Sequence, residues 1–338
     1  MTRTQSMSLA AMAAAFAVAL SPQFLVAQSG PRPVKPAYDD GNVEALRVKE
    51  AVHLVAGSGA NITVQVTPQG LLVVDSSVAA MSDKVLAAIR SISDAPIRLI
   101  LNTSGDEHHT GGNEALSAAG RNVNAGIGGQ NGREPSRLDG APVIAHENVL
   151  HLMSGLKNEP ARMPYGVWPH DTFYTNLKQL YFGGEVVEMM HAPNAHTDGD
   201  VMVWFRKTDI VATGDIYSTV TYPRVDLKRG GSVQGLLDAL NRVLDIAVPE
   251  FNNQGGTLVV PGHGRISNES DVAEYRDMTT IIRDRIKAMV DKGQTLAQIK
   301  SAGVTKDYDA VYSVPGWTGE MFIEAIYTDL TRGKRTSS

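Results

Sequence analysis

Short apolar runs broken by glycine-rich or polar residues, interleaved with segments of helical spacing, set the pattern of this chain. Residues 52–57 and 61–66 flank a Gly-Ser-Gly turn and predict a hairpin. Residues 70–75, Gly-Leu-Leu-Val-Val-Asp, form a continuous apolar run, the mark of a strand buried on both faces. Apolar positions over 81–91 recur at helical spacing, and 97–101 predicts another buried strand. A short strand at 143–145 leads into a helix over 147–154. The second half repeats the strand logic at 185–190, 201–205, 210–213 and 257–260. An amphipathic helix over 271–292 and two short helices near 295–302 and 320–331 follow. Two stretches lack periodicity. Residues 121–140 are polar and glycine-rich, and predict a long surface loop, either a substrate-facing flap or a disordered insertion. Residues 157–171 hold three prolines with Tyr165 and Trp168, aromatic side chains that either contact a ligand or, the preferred reading, pack over the core. Strands covered in alternation by helices describe an α/β protein.

Composition narrows the classes. A chain of 338 residues has room for one large α/β domain or two small ones. A formal net charge of −5 offers no basic surface for nucleic acid and no polybasic segment for a membrane. At the N-terminus Arg3 precedes an apolar run over 7–20, too short to span a bilayer, and Leu25-Val26-Ala27 supplies small residues for cleavage. This order predicts a signal peptide over 1–27, a linker over 28–45 and one domain over 46–338. The mature protein is then expected to be exported, periplasmic or extracellular, and free of the membrane after cleavage. The chain has no cysteine, so stability rests on core packing, and thiolate is excluded from any mechanism or metal site.

Candidate chemistry concentrates in four segments. The first is Asn102-Thr103-Ser104-Gly105-Asp106-Glu107-His108-His109-Thr110-Gly111-Gly112-Asn113. The others are His191-Ala192-Pro193-Asn194-Ala195-His196-Thr197-Asp198-Gly199-Asp200, Ala212-Thr213-Gly214-Asp215 and Val260-Pro261-Gly262-His263-Gly264. In this order and separation they resemble the metal-binding motifs of the metallo-β-lactamase superfamily. The first segment resembles NTHxHxDHxGGN, with Ser104 and Asp106 where the leading histidines stand and His108 where the aspartate stands. The resemblance implies a four-layer αββα fold whose loops converge at one edge. Carried over residue by residue, it implies a first metal site of Ser104, Asp106, His196 and shared Asp215. The second site becomes His108, His109, His263 and shared Asp215.

Ser104 is a poor donor, so the implied metal ligands are Asp106, His108, His109, His196, Asp215 and His263, with His108 and Asp215 carrying catalytic roles. Ser104 and Asp198 are expected in hydrogen-bonding roles around the ligands, and His191 either supports a ligand or caps its strand. His53, His146, His151 and His170 read as ordinary solvated or hydrogen-bonded histidines. Three imidazoles and a carboxylate suit Zn²⁺ at the second site, while the oxygen-rich first site shifts preference toward Fe²⁺ or Mn²⁺. One or two ions are expected. The implied function is a hydrolase in which metal-bound hydroxide attacks an ester, thioester, lactone or lactam carbonyl of a small-molecule substrate. Two alternatives stand beside it: a catalytically degenerate binding protein of the same fold, and an iron-dependent redox member of the superfamily.

Overall fold

Residues 41–122, 137–155, 161–251 and 255–332 are described by the computed structural model. The segment expected as a signal peptide, most of the expected linker and most of the loop expected over 121–140 lie outside these residues. Glu44 and Ala45, assigned to the linker from sequence, instead open the first strand, β1 (Glu44–Lys49).

The predicted hairpin is β2 (Val52–Ala56) against β3 (Ile62–Thr67), and β1 extends it on the outer side. Then come β4 (Gly70–Val74), α1 (Ser82–Ile92) and β5 (Ile97–Leu101). The motif that follows β5 forms two short helices, α2 (Glu107–Thr110) and α3 (Asn113–Ala119). β6 (Val143–His146), α4 (Glu147–Ser154) and β7 (Asp171–Phe173) finish a seven-stranded sheet ordered β1 to β7 in sequence. Its second half, from β4 onward, is parallel.

A five-stranded sheet follows, ordered β12-β11-β10-β9-β8. It comprises β8 (Leu177–Phe182), β9 (Glu185–His191), β10 (Val201–Phe205), β11 (Ile210–Ala212) and β12 (Leu258–Val260). α5 (Val233–Ile246) lies between β11 and β12, and α6 (Glu269–Asp291), α7 (Leu296–Ala302), α8 (Lys306–Tyr312) and α9 (Gly319–Thr331) come after β12.

The layering follows from strand periodicity. In β4, Leu71 and Val73 pack with Val85 and Ile89 of α1 and Leu116 of α3, whereas Leu72 and Val74 face the second sheet. In β10, Val201, Val203 and Phe205 meet them from the other side. Met202 and Val211 point outward onto Leu236 and Leu240 of α5, Ile282 of α6 and Phe322 of α9. Three apolar interfaces between helices, sheet, sheet and helices make the four-layer α/β arrangement expected from sequence.

One titratable group in this framework has a stability consequence. His146 caps the N-terminus of α4, its Nδ1 accepting from the Asn148 backbone N–H at 3.3 Å, and its ring stacks on His191 at 3.7 Å between centroids. Burial, with the neighbouring His191 and His151, pushes its pKa down to about 4. A protonated Nδ1 could not accept the cap. Because the folded pKa lies below the unfolded value, the contribution is complete above about pH 6.5 and is lost as pH falls toward 4. After allowing for solvent screening, about 1–2 kcal/mol is expected to disappear across this interval. His146→Asn retains a capping acceptor without titrating. Denaturant unfolding of both proteins from pH 7 to 4 should give a shallower pH slope for the variant, and equal slopes would refute the assignment.

Candidate metal centre

Every element of the site leaves the carboxyl end of a strand. Asp75 follows β4, residues 102–106 follow β5, the loop bearing His196 follows β9, Asp215 follows β11 and His263 follows β12. The main chain ties the two sheets together here, with Val201 N donating to Thr103 O at 2.7 Å. Gly214, at φ +52°, brings its backbone so close to Thr103 that a Cβ would run into the Thr103 side chain. Only glycine serves at that point of the Ala-Thr-Gly-Asp segment.

His108, His109, His263 and Asp215 form one donor group, and Asp106, His196 and Asp215 a second, with the donor atoms of each within 4.8 Å of one another. In the first of these, three Nε2 atoms converge on Asp215. His108 stands 3.1 Å and His109 3.3 Å from Oδ2, and His263 stands 3.2 Å from Oδ1. Partners on the far side fix two of the rings. His109 Nδ1 is 2.8 Å from Asp75 Oδ2, and His263 Nδ1 is 2.8 Å from Gly59 O. With Nδ1–H donating outward, the Nε2 atoms are turned into the site. Asp75 is itself held by Thr103, through N at 2.8 Å and Oγ1 at 2.6 Å, and adopts φ +67° to receive both.

His109 Nε2 is buried and, despite its distance from Asp215, has no partner in hydrogen-bonding geometry. An orphaned inward nitrogen at the centre of a nitrogen-rich group is what a divalent ion would satisfy. These residues fit a divalent metal ion.

The Asp106 group is built differently. Asp106 Oδ2 lies 2.9 Å from His196 Nε2, and Oδ1 is ion-paired with Arg229 Nη1. Arg229 also donates through Nε to Asp226 Oδ2 at 2.6 Å. The guanidinium therefore stands at the carboxylate that a first metal would use. His196 Nδ1 sits 2.8 Å from Arg224 O, which turns its Nε2 inward.

Ser104 is buried and its Oγ accepts from Asp106 N at 3.3 Å, the hydrogen-bonding role expected of it. Asp198 accepts from Asn148 Nδ2 at 3.0 Å, and its backbone N–H donates to Arg229 O at 3.0 Å, so it stitches the His196 loop to the Arg229 loop. His191 reaches the Asp198 carbonyl at 2.8 Å through Nε2 and stacks on His146, away from both donor groups. Asp200 accepts from Thr197 N and Oγ1 at 2.7 and 2.9 Å and closes the His-Thr-Asp-Gly-Asp turn, and burial pushes its carboxyl up to about 6.

Charge in the site is tightly coupled. Burial opposes ionisation of Asp215, but His109, His108 and His196 around it hold the carboxyl well below the usual range. Burial likewise disfavours the charged form of His196, yet Asp215 and Asp106 outweigh it and raise the imidazole to about 10. Burial works against Asp106 too, and is overcome by His196 and Arg229, which keep it below the ordinary carboxylate range. His108 is the most exposed of these donors, at 31% of its side chain, so the group opens on that side. A cleft of about 590 Å³ begins there, bordered by Asp106, His108 and His196 and walled by Arg224, Lys228, Arg229, Leu227, Trp317 and Met321.

Sequence reasoning named all six converging donors but missed Asp75 and Arg229. Asp75 carried a signal, a lone carboxylate ending an apolar run buried on both faces. Arg229 carried none, because its partner Asp106 is 123 positions away in sequence.

The sequence profile of the metallo-beta-lactamase superfamily matches residues 55–263, and the chain belongs to that superfamily. No curated protein sequence matches it. Among solved structures it is similar to the stereoselective inverting sec-alkylsulfatase Pisa1 from Pseudomonas sp., with a TM-score of 0.60 at 15% identity over 85% of this chain. This chain spans 50% of that enzyme's length. It is also similar to a metallo-beta-lactamase from Pontibacter korlensis, with a TM-score of 0.53 at 16% identity over 70% of this chain and 99% of the other. A third similarity is to DIM-1 metallo-beta-lactamase, with a TM-score of 0.51 at 18% identity over 70% of this chain and 97% of the other. At these identities the likeness carries the αββα fold and nothing finer.

Proposed function

We propose that this chain is an exported, zinc-dependent hydrolase acting on a small-molecule ester, thioester, lactone or lactam. The observation that carries the reading is the inward convergence of His108, His109 and His263 on Asp215, with the His109 and His263 rings fixed from behind and the His109 Nε2 orphaned. A zinc ion held by these residues would supply Lewis acidity, lowering the pKa of water and polarising the acyl oxygen. His109 is expected to give up its inner proton when an ion binds, since the Asp215 and Asp75 charges otherwise keep the buried imidazole protonated well above its ordinary pKa. Asp106 and Asp215 stay ionised at working pH and make poor proton acceptors. His108, on the open side, borders the path by which substrate enters from the cleft. Trp317, Leu227 and Met321 offer that substrate an apolar wall. Export rests on the N-terminal segment alone.

The cleft favours a second substrate class. Arg224 and Lys228 stand beside its apolar wall, with the Arg224 guanidinium 5.4 Å from the Trp317 ring centroid. A sulfate ester with an apolar body would suit that combination, and the Pseudomonas structure is a sec-alkylsulfatase.

The test is turnover of a chromogenic ester, thioester, lactone, cephalosporin and aryl sulfate by the purified chain, before and after chelation. At least one substrate should be hydrolysed, with activity lost on chelation and restored by zinc. A chain that carries its ion yet turns over none of them supports the binding-protein alternative. As purified, metal below about a tenth of an equivalent would overturn the metallohydrolase reading. Bound iron with oxygen-dependent turnover would move it to the redox alternative.

A further inference from the structure

The two donor groups differ in one respect that neither motif nor fold dictates. The group around His109 keeps one orphaned nitrogen, whereas Asp106 is also paired with a guanidinium from outside its group. Both Asp106 oxygens are engaged, Oδ1 by the Arg229 guanidinium and Oδ2 by His196 Nε2 at 2.9 Å. The Arg229 side chain is not a casual visitor. Asp226 Oδ2 holds its Nε at 2.6 Å. Its segment is fastened to the His196 loop by Asp226 N to His196 O at 2.8 Å, Asp198 N to Arg229 O at 3.0 Å and Asn194 Nδ2 to Gly230 O at 2.9 Å. Gly231 passes so close to the His196 carbonyl that a Cβ would collide with it. The loop that carries His196 thus braces the separate segment that delivers the guanidinium.

From this we infer that Arg229 takes the electrostatic place of the first metal, so that the chain binds one divalent ion, at His108, His109, His263 and Asp215. A second cation at Asp106 would have to displace a guanidinium braced by two carboxylates, and it would gain only one imidazole and a carboxylate already shared with the other ion. A fixed positive charge on the first-site side preserves the charge balance that Asp106 and Asp215 require, with no second ion. The expectation of Fe²⁺ or Mn²⁺ at the first site gives way to an ion pair. The inference rests on the metal reading above and concerns only how many ions are held.

Zinc stoichiometry of the whole chain decides it. The metal-stripped protein is titrated with Zn²⁺ alone, followed by calorimetry and by metal analysis after gel filtration. The wild type should saturate at one ion per chain, and Asp106→Asn should leave that number unchanged. Arg229→Ala frees Asp106 and should raise the number to two, and Arg229→Ala with Asp106→Asn should return it to one. Arg229→Gln can still donate to Asp226, and it substitutes for the alanine variant if that protein fails to fold. Two ions in the wild type, falling to one in Asp106→Asn, would overturn the inference and leave the hydrolase reading intact. One ion in both arginine variants would overturn Arg229 as the excluding group. No ion in any protein would remove the metal reading beneath it.

Discussion

Asp215→Ala should abolish metal binding, with a loss exceeding the roughly 10–100-fold that follows removal of a partner behind a ligand. Asp215 is the one carboxylate common to both donor groups. Its Oδ1 faces His263 at 3.2 Å, and its Oδ2 faces His108 at 3.1 Å and His196 at 3.6 Å. The substitution removes the only anionic ligand of the three-histidine group, so the remaining imidazoles would face a divalent ion without charge compensation.

The metal-free protein should suffer as well. Leaving the surrounding imidazoles around an empty centre uncouples a buried ion network, a loss on the order of 3–5 kcal/mol. The pH dependence separates this from simple cavity formation. His196 is raised to about 10 in the folded chain, against 6.5 unfolded. A raised pKa means that its contribution is complete below about pH 6.5 and is lost as pH rises through 10. Metal-free wild type should therefore lose stability on the alkaline side, and Asp215→Ala should lose less across the same interval. Thermal melts from pH 6 to 10 with chelator present measure both. A variant that still binds zinc within tenfold of wild type would contradict the central position given to this carboxylate.

The second large effect is expected at a residue that touches no metal donor except His109. Asp75 accepts from Thr103 N, Thr103 Oγ1 and His109 Nδ1 within a buried junction between β4 and β5. Asp75→Ala leaves those donors unpaired and should destabilise the chain by about 3–5 kcal/mol. Asp75→Asn is the more informative change. Asparagine tolerates the φ of +67° and keeps one acceptor oxygen, so the chain should fold. Its amide no longer pins His109 by charge, and zinc affinity should fall about 10–100-fold. The measurements are calorimetric zinc affinity and denaturant midpoint on the same samples. An asparagine variant with unaltered affinity would show that the His109 ring is positioned by packing alone.

How much of this was readable beforehand follows from burial and from locality. β4, β10 and β12 were legible because they are apolar on consecutive positions, the signature of strands covered on both faces. β1 and β8 escaped because exposed and half-buried residues mix along them, and each forms an edge of its sheet. α5 escaped in part because Gly235 lies in its first turn, where a glycine lowers helical propensity. That glycine is there because a Cβ would run into the Asn194 carbonyl, a constraint from the neighbouring loop that no local pattern records. The donors were legible because each sits inside a short motif of fixed spacing. Arg229 and Asp75 work through partners distant in sequence, and only the fold brings them together.

The His109 half of the centre hangs from the seven-stranded sheet, through Asp75 and the residues after β5, while His196, Asp215 and His263 hang from the five-stranded sheet. The donor set therefore exists only where the halves of the sandwich meet, like a clasp sewn half to each edge of a seam. Each half alone is an incomplete chelator, so an ion would find its full donor set only where the sheets have closed on one another. An ion seated there would resist their parting, and would give a chain without cysteine a cross-link between distant segments that leaves when the seam opens.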